Sequence, residues 1–387
     1  MDLKSELKKR KWPHNPPKEF TYSGSTYVRE GRVFNRPLQL EQNLSEPIPP
    51  GECAITSLVT GPHGIVVGAT SGARSHLFVC FGVGGHDSVY DMGVIKGARA
   101  VRRSLVVGAD GTVLGGISEA EDGKKEGGLF CVPRREHPHP HKIEYLPAPV
   151  RGERVAAMAI DRGRGVAYGL SSVTGTFFAV NVKSGKVSVK GKVQEIGNFS
   201  HVLVADLKGN VYGAAHLGRL FKYDPVLDEI RALPLSLPTV AGREFYNYLD
   251  SAALDPATGL IYGGGSADGV IFVFDPEAMT IRSLGKVTAE PRCRCITVGL
   301  DGRVYGVSGE TDGMGHLFCY DPEAHELRDL GIPYATSERA WHGYEFDAAC
   351  TGINGEIYLG ESDRISHLFI YFPPIKPAKP CAAGAQR

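Results

Sequence analysis

The chain has 387 residues, with 43 basic and 43 acidic side chains and no formal net charge. That balance argues against a general nucleic-acid binder, which needs a basic face to displace counterions, and no stretch is apolar and long enough to span a membrane as a helix. The hydrophobic share of 42% supports a large core, and 49 glycines, well above the ordinary share of about 7%, imply many tight turns and so many short strands.

In chain order, Met1 to Lys18 is charged and proline-bearing with no signal-peptide pattern. The expected location is the cytoplasm, or a secreted or periplasmic compartment if a leader has been removed. Residues 1–30 are expected to form an arm. The run Gly31 to Glu41, GRVFNRPLQLE, is strand-like. After it one unit recurs: an apolar strand, a turn with Gly, a short strand ending in Tyr-Gly, a loop, a strand such as LFxYDP, then a last strand. The turn glycines fall at Gly64, Gly111, Gly165, Gly209, Gly259, Gly302 and Gly355, spaced 47, 54, 44, 50, 43 and 53 residues apart. This period matches a four-stranded blade and predicts an all-β fold, a seven-bladed β-propeller over residues 31–374, with a tail over 375–387. Blade seven stops at Tyr371, followed by Pro373 and Pro374. Its fourth strand is expected from the N-terminal segment, which closes the ring and removes free edges.

The clearest copies are SHVLVADLKGNVYGAAHLGRLFKYDP, DSAALDPATGLIYGGGSADGVIFVFDP and RCITVGLDGRVYGVSGETDGMGHLFCYDP. Their Lys-Gly, Thr-Gly and Asp-Gly turns supply positive φ, and Asp-Pro ends the third strand because Pro cannot donate to a central ladder. RREHPHPH, residues 134–141, is a proline-broken loop on blade two, and its His137, His139 and His141 are expected to be solvated rather than metal-bound. The eight cysteines contain no CxxC pair and read as buried thiols. Cys293 and Cys295, two apart, are expected on one strand face, as are Arg292 and Arg294.

Repeats allow each blade to be compared with its siblings. The position five residues before the end of each inner strand reads Thr56, Arg103, Ala156, His201, Asp250, Arg294 and Asp347. A structural core position should be small and apolar, yet five of these seven are ionisable. Two residues earlier stand Ala54, Val101, Arg154, Phe199, Tyr248, Arg292 and Glu345. The position four after the Tyr of Tyr-Gly is Ser71, Ser118, Ser172, His216, Ser266, Gly309 and Ser362, so His216 breaks a serine rule. His201 and His216 are expected in one site at the channel mouth. The Arg and Asp residues have a second reading, a structural ring of compensated charges. His76, His316 and His367 precede the same Leu-Phe in three blades, which marks a structural role. Trp341, His342 and Tyr344 enter blade seven, where an aromatic could stack on a sugar.

A cationic mouth bearing His and Tyr suits an anionic oligo- or polysaccharide containing a uronate. In β-elimination, a cation neutralises the carboxylate, a neutral His or Tyr takes the C5 proton, and a Tyr or His protonates the leaving oxygen. The organisation resembles the seven-bladed propeller polysaccharide lyases of the ulvan lyase and rhamnose–glucuronate lyase type. The resemblance implies His201 and His216 as the paired histidines and Tyr248, with Tyr246 as a rival, as the tyrosine. The family's Arg has no counterpart in the loop GGGSADGV, so its role falls to Arg292, Arg294 or Arg219. Arg103, Asp250, Glu345 and His342 complete the candidate substrate-binding set. No cofactor is required by this chemistry. Blade grammar such as GLDGRVYG also resembles streptogramin lyases and gluconolactonase-like propellers, which use a divalent metal; Glu345, Asp347, Asp250 and His201 would be its ligands here. A non-catalytic interaction propeller is the third reading, since fold alone implies no function.

Overall fold

The computed structural model describes residues 28–374 apart from 39–46, 62–63, 82–88, 122–126, 134–141, 194–198, 310–313 and 336–339. The outer parts of the two expected arms, the last residues of GRVFNRPLQLE, and the loop with His137, His139 and His141 therefore lie outside the described residues. Seven antiparallel sheets form the seven blades, and each has the four-strand order expected from the repeat. Their inner strands begin in turn at Ala54, Leu105, Val155, Val204, Leu249, Cys295 and Phe346. Blade one is widened by a short ladder, Ala98–Ala100 with Glu119–Ala120, that reaches blade two.

Three local rules in the sequence explain why each copy folds alike. All seven turn glycines have φ between +65° and +91°, the region that costs a side chain most. Asp224, Asp275 and Asp321 end their third strands, and each carboxylate accepts two backbone N–H bonds from the turn that follows. The second-strand Gly, which follows Tyr in blades three to six, faces a Phe on the third strand. The cross-strand pairs are Gly68–Phe78, Gly115–Phe130, Gly169–Phe178, Gly213–Phe221, Gly263–Phe272 and Gly306–Phe318. A Cβ on any of these glycines would lie 2.1–2.8 Å from the Phe Cζ, so the aromatic ring folds over the space that glycine leaves. Blade seven departs from this pattern, with Leu359 opposite Phe369.

The ring closes as the sequence predicts. Arg32–Pro37 pairs antiparallel with His367–Phe372 and becomes the outer strand of blade seven. The recurrent histidines share one job. His76 Nδ1 bonds Asp91 at 2.9 Å, His316 Nδ1 bonds Asp329 at 3.1 Å, and His367 Nδ1 bonds the Asn35 amide at 2.9 Å. Asp91, Asp329 and Asn35 sit opposite Phe78, Phe318 and Phe369, the same register position in three blades. Asn35 thus supplies from the N-terminal strand what an Asp supplies from the local fourth strand elsewhere. The structural reading of these three histidines is the one the geometry carries.

The core is a series of apolar layers between neighbouring blades rather than one central cluster. Every described cysteine is a free thiol. No helix among the described residues is long and apolar enough to cross a membrane.

Gly169→Ala would force its new methyl into the Phe178 ring. It should destabilise the protein by about 1–3 kcal/mol, read as a lowered midpoint in denaturant, whereas Ala at the exposed Lys186 should leave the midpoint within about 0.5 kcal/mol.

Candidate functional site

The seven positions singled out by comparing blades all line the channel. A backbone irregularity accounts for four of them. In blades one, three, five and seven the inner-strand register shifts between Ile55 and Ser57, Val155 and Ala157, Leu249 and Ser251, and Phe346 and Ala348. Thr56, Ala156, Asp250 and Asp347 are the extra residues, and such bulges re-aim a side chain out of the ordinary alternation. In blades two, four and six the residue lies just before a shorter inner strand, and Arg103 takes a left-handed backbone with φ +51°.

Charges at the mouth are paired across blades. Asp250 is 2% exposed and accepts from Arg292 Nε and Nη2, each at 2.7 Å, from Arg103 Nη2 at 3.2 Å, and from the Cys293 N–H at 3.3 Å. Burial by itself would raise its carboxyl, but the Arg292 hydrogen bonds and the charges of Arg103, Arg292 and Arg294 outweigh it and hold the group below the usual carboxylate value. Asp347 accepts from Arg102 Nη1 at 2.9 Å and Arg294 Nη1 at 3.2 Å. Arg294 also pairs with Glu345, and Arg102 Nε with Glu119 at 3.1 Å. The bond from Arg103 on blade two crosses the channel to blade five, and the bond from Arg102 passes over blade one to blade seven.

Two adjoining cavities open here. One, about 650 Å³, is lined by His201, Tyr246, Tyr248, Arg103, Asp250 and Arg292 among others. The other, about 500 Å³, is lined by Arg102, Arg103, Arg154, Arg292, Arg294 and Asp347 together with His201 and Ser172. His201 borders both. Its ring is open to solvent on the cavity side and packs on Phe199, with ring centroids 5.5 Å apart. Neither ring nitrogen has a hydrogen-bond partner among the described residues, and the same holds for the Tyr248 hydroxyl. Desolvation first, and then the charge of Arg103, holds the imidazole below its ordinary pKa. A neutral imidazole facing a cavity can accept a proton.

Not every expected residue joins this site. His216 begins a short 3-10 turn, His216–Gly218, and meets the edge of Phe245 at 5.4 Å. Phe245 in turn meets Tyr246 at 5.2 Å, so His216 stands two rings outward and lines neither cavity with His201. Elsewhere the serine at its position is a clasp: Ser118, Ser172 and Ser266 accept the backbone N–H of Arg102, Arg154 and Tyr248. Arg219 is exposed at the start of a third strand and also lies outside both cavities. His342 sits in a two-stranded ladder opposite Tyr334, with ring centroids 4.5 Å apart. Trp341 donates its indole N–H to buried Glu361. Arg292 and Arg294 do not face one way. Arg292 has φ +73°, which breaks the strand alternation, and it turns to Asp250 while Arg294 turns to Asp347. For the same reason Cys293 and Cys295 enter different apolar layers. Burial pushes the Cys293 thiol up to about 12. The four suggested metal ligands do not converge. Asp250, Asp347 and Glu345 are each held by guanidinium groups, and no group of three metal-ligating side chains occurs among the described residues. Blade comparison passed over Arg102 and Arg154. Arg154 resembles the other arginine of the second series in sequence, and its lack of an ion pair among the described residues is visible only in three dimensions.

No protein-family profile matches the chain, and no curated protein matches its sequence. Solved structures match its fold. A virginiamycin B lyase from Staphylococcus aureus is 11% identical, with 89% of this chain and 100% of that one covered and a TM-score of 0.64. A streptogramin B lyase is 11% identical over 88% of this chain and 98% of its own, with a TM-score of 0.63. The extracellular domain of a hybrid two-component system from B. thetaiotaomicron is 12% identical with a TM-score of 0.60; the match covers 90% of this chain and 40% of that one. At such identities the likeness establishes the propeller fold.

His201 should titrate below the ordinary imidazole value by NMR, and Arg103→Gln should move its midpoint upward, because removing a nearby positive charge makes the imidazolium less costly. Asp250→Ala leaves the partly exposed guanidiniums of Arg103 and Arg292 without their carboxylate and should cost about 1–3 kcal/mol in denaturant melts.

Proposed function

We propose that the protein is a polysaccharide lyase that cleaves a uronate-containing glycan by β-elimination. The observation that carries this reading is His201: an imidazole held below its ordinary pKa, with no hydrogen-bond partner among the described residues, that borders both an arginine-rich cavity and one bearing the Tyr248 hydroxyl. The arginine-rich side neutralises the sugar carboxylate and so acidifies the proton on C5. His201 takes that proton. Electrons from the C5–H bond form the C4–C5 double bond, the C4–O bond breaks, and the leaving oxygen takes a proton from Tyr248 or from Tyr246 at the cavity rim. No water is consumed and no redox step occurs. His216 then acts at the rim, through the Phe245 and Tyr246 rings, rather than in the proton transfer itself.

The fold relatives include a sensor's extracellular domain, so recognition without turnover is a second use of the same cavity. The two are separated by one assay. Incubation with a panel of glucuronate-containing glycans should give the ultraviolet absorbance of an unsaturated uronate, and His201→Ala should lower the rate by about 10²–10⁴-fold. Binding of a uronate oligosaccharide with no such product would leave a recognition domain. An unchanged rate in His201→Ala would remove this residue as the base.

A further inference from the structure

Four carboxylates at the mouth account for four of the five guanidiniums that line the smaller cavity. Asp250 holds Arg103 and Arg292, Asp347 holds Arg102 and Arg294, Glu119 pairs with Arg102, and Glu345 with Arg294. The fifth is Arg154. Its guanidinium has no ion pair or hydrogen bond among the described residues. The carboxylate next to it in sequence, Glu153, is turned away and accepts the Val173 and Thr174 N–H groups at 3.1 and 3.0 Å. Arg154 is nevertheless positioned, because its backbone N–H donates to Ser172 Oγ at 3.2 Å, and Ser172 lines both cavities. The channel position of its blade is Ala156, so blade three offers open space where blades two, five, six and seven offer an ionised group.

We propose that Arg154 is the carboxylate-binding residue of the site, and that it sets the direction in which the glycan lies. This rests on the lyase reading above and deepens it. A planar guanidinium fork matches a carboxylate with two parallel N–H···O bonds. Arg292 already donates twice to Asp250, and Arg294 is paired with Asp347 and Glu345, so a substrate carboxylate bound through either would compete with an existing partner. Arg154 on blade three shares the smaller cavity with His201 on blade four, and Tyr248 and Tyr246 on blade five share the larger one with His201. The mouth is then read in blade order: carboxylate, base, leaving-group acid. The uronate ring sits over blades three and four, and the departing sugar extends over blade five toward the exposed Tyr246 and Phe245.

The test is binding by calorimetry of a glucuronate disaccharide, its neutral glucose counterpart and a sulfated neutral disaccharide, to the unaltered full chain and to Arg154→Gln and Arg154→Lys. Unaltered protein should bind the glucuronate sugar in preference to both others. Arg154→Gln should weaken that binding roughly ten- to hundredfold and leave the neutral sugar unchanged, with Arg154→Lys between. A thermal melt checks that each variant folds, and the lysine variant keeps the test open if the glutamine one does not. Equal glucuronate affinity in Arg154→Gln and unaltered protein would overturn the assignment while leaving the lyase reading intact. Preference for the sulfated sugar would overturn the carboxylate class. No preference of the unaltered protein for either anion would overturn both readings together.

Discussion

Closing the ring is the constraint on which everything else rests. Six consecutive residues, Arg32–Pro37, pair with His367–Phe372 and turn a chain with two ends into a ring of seven sheets. Without that strand, blade seven would present the edge of His367–Phe372 as open backbone donors and acceptors. The closing strand also carries side-chain chemistry. Asn35 is buried and bonded to His367, so the N-terminal segment reproduces the contact that Asp91 and Asp329 make within their own blades. The channel mouth is a geometric product of closure, because its side chains come from blades far apart in sequence.

Within the mouth the ruling interaction is the pairing of Asp250 with Arg292 and Arg103. A carboxylate so buried is tolerated because its two guanidinium partners and the Cys293 N–H repay its lost hydration. The same arrangement shapes the candidate chemistry. Arg103 sits close enough to His201 to disfavour its protonation, so a structural ion pair and a proton-accepting imidazole are parts of one electrostatic system. The left-handed backbones of Arg103 and Arg292 mark where local conformation yields to that pairing.

Much of the site could be read from the repeat, since seven copies show what the scaffold needs at each position. Thr56, Arg103, Ala156, His201, Asp250, Arg294 and Asp347 were aligned by spacing alone, and all seven line the channel. His216 shows the limit of the method. It breaks the serine rule, but a broken rule reports only that the scaffold's use of a position has lapsed. The serine clasp is lost there, and the ring packs outward on Phe245. Arg154 shows the converse. An Arg among other arginines looks unexceptional in sequence, and it differs in having no ion pair with a carboxylate among the described residues.

The sequence by itself determined the number of blades, the turn at each inner hairpin, and the strand that closes the ring. These follow from local rules, such as positive φ, chain period and cross-strand register, that each copy states for itself. Only the tertiary structure decided which charges meet. Asp250 reaches Arg103 across 147 positions of sequence and Arg102 reaches Asp347 across 245. Coulomb pairing depends on distance in space, and bulges that displace one residue, or one positive φ at Arg292, redirect a charge from one neighbour to another. That is why the sequence could place the ionisable residues at the mouth but could not say which guanidinium would have no carboxylate partner among the described residues.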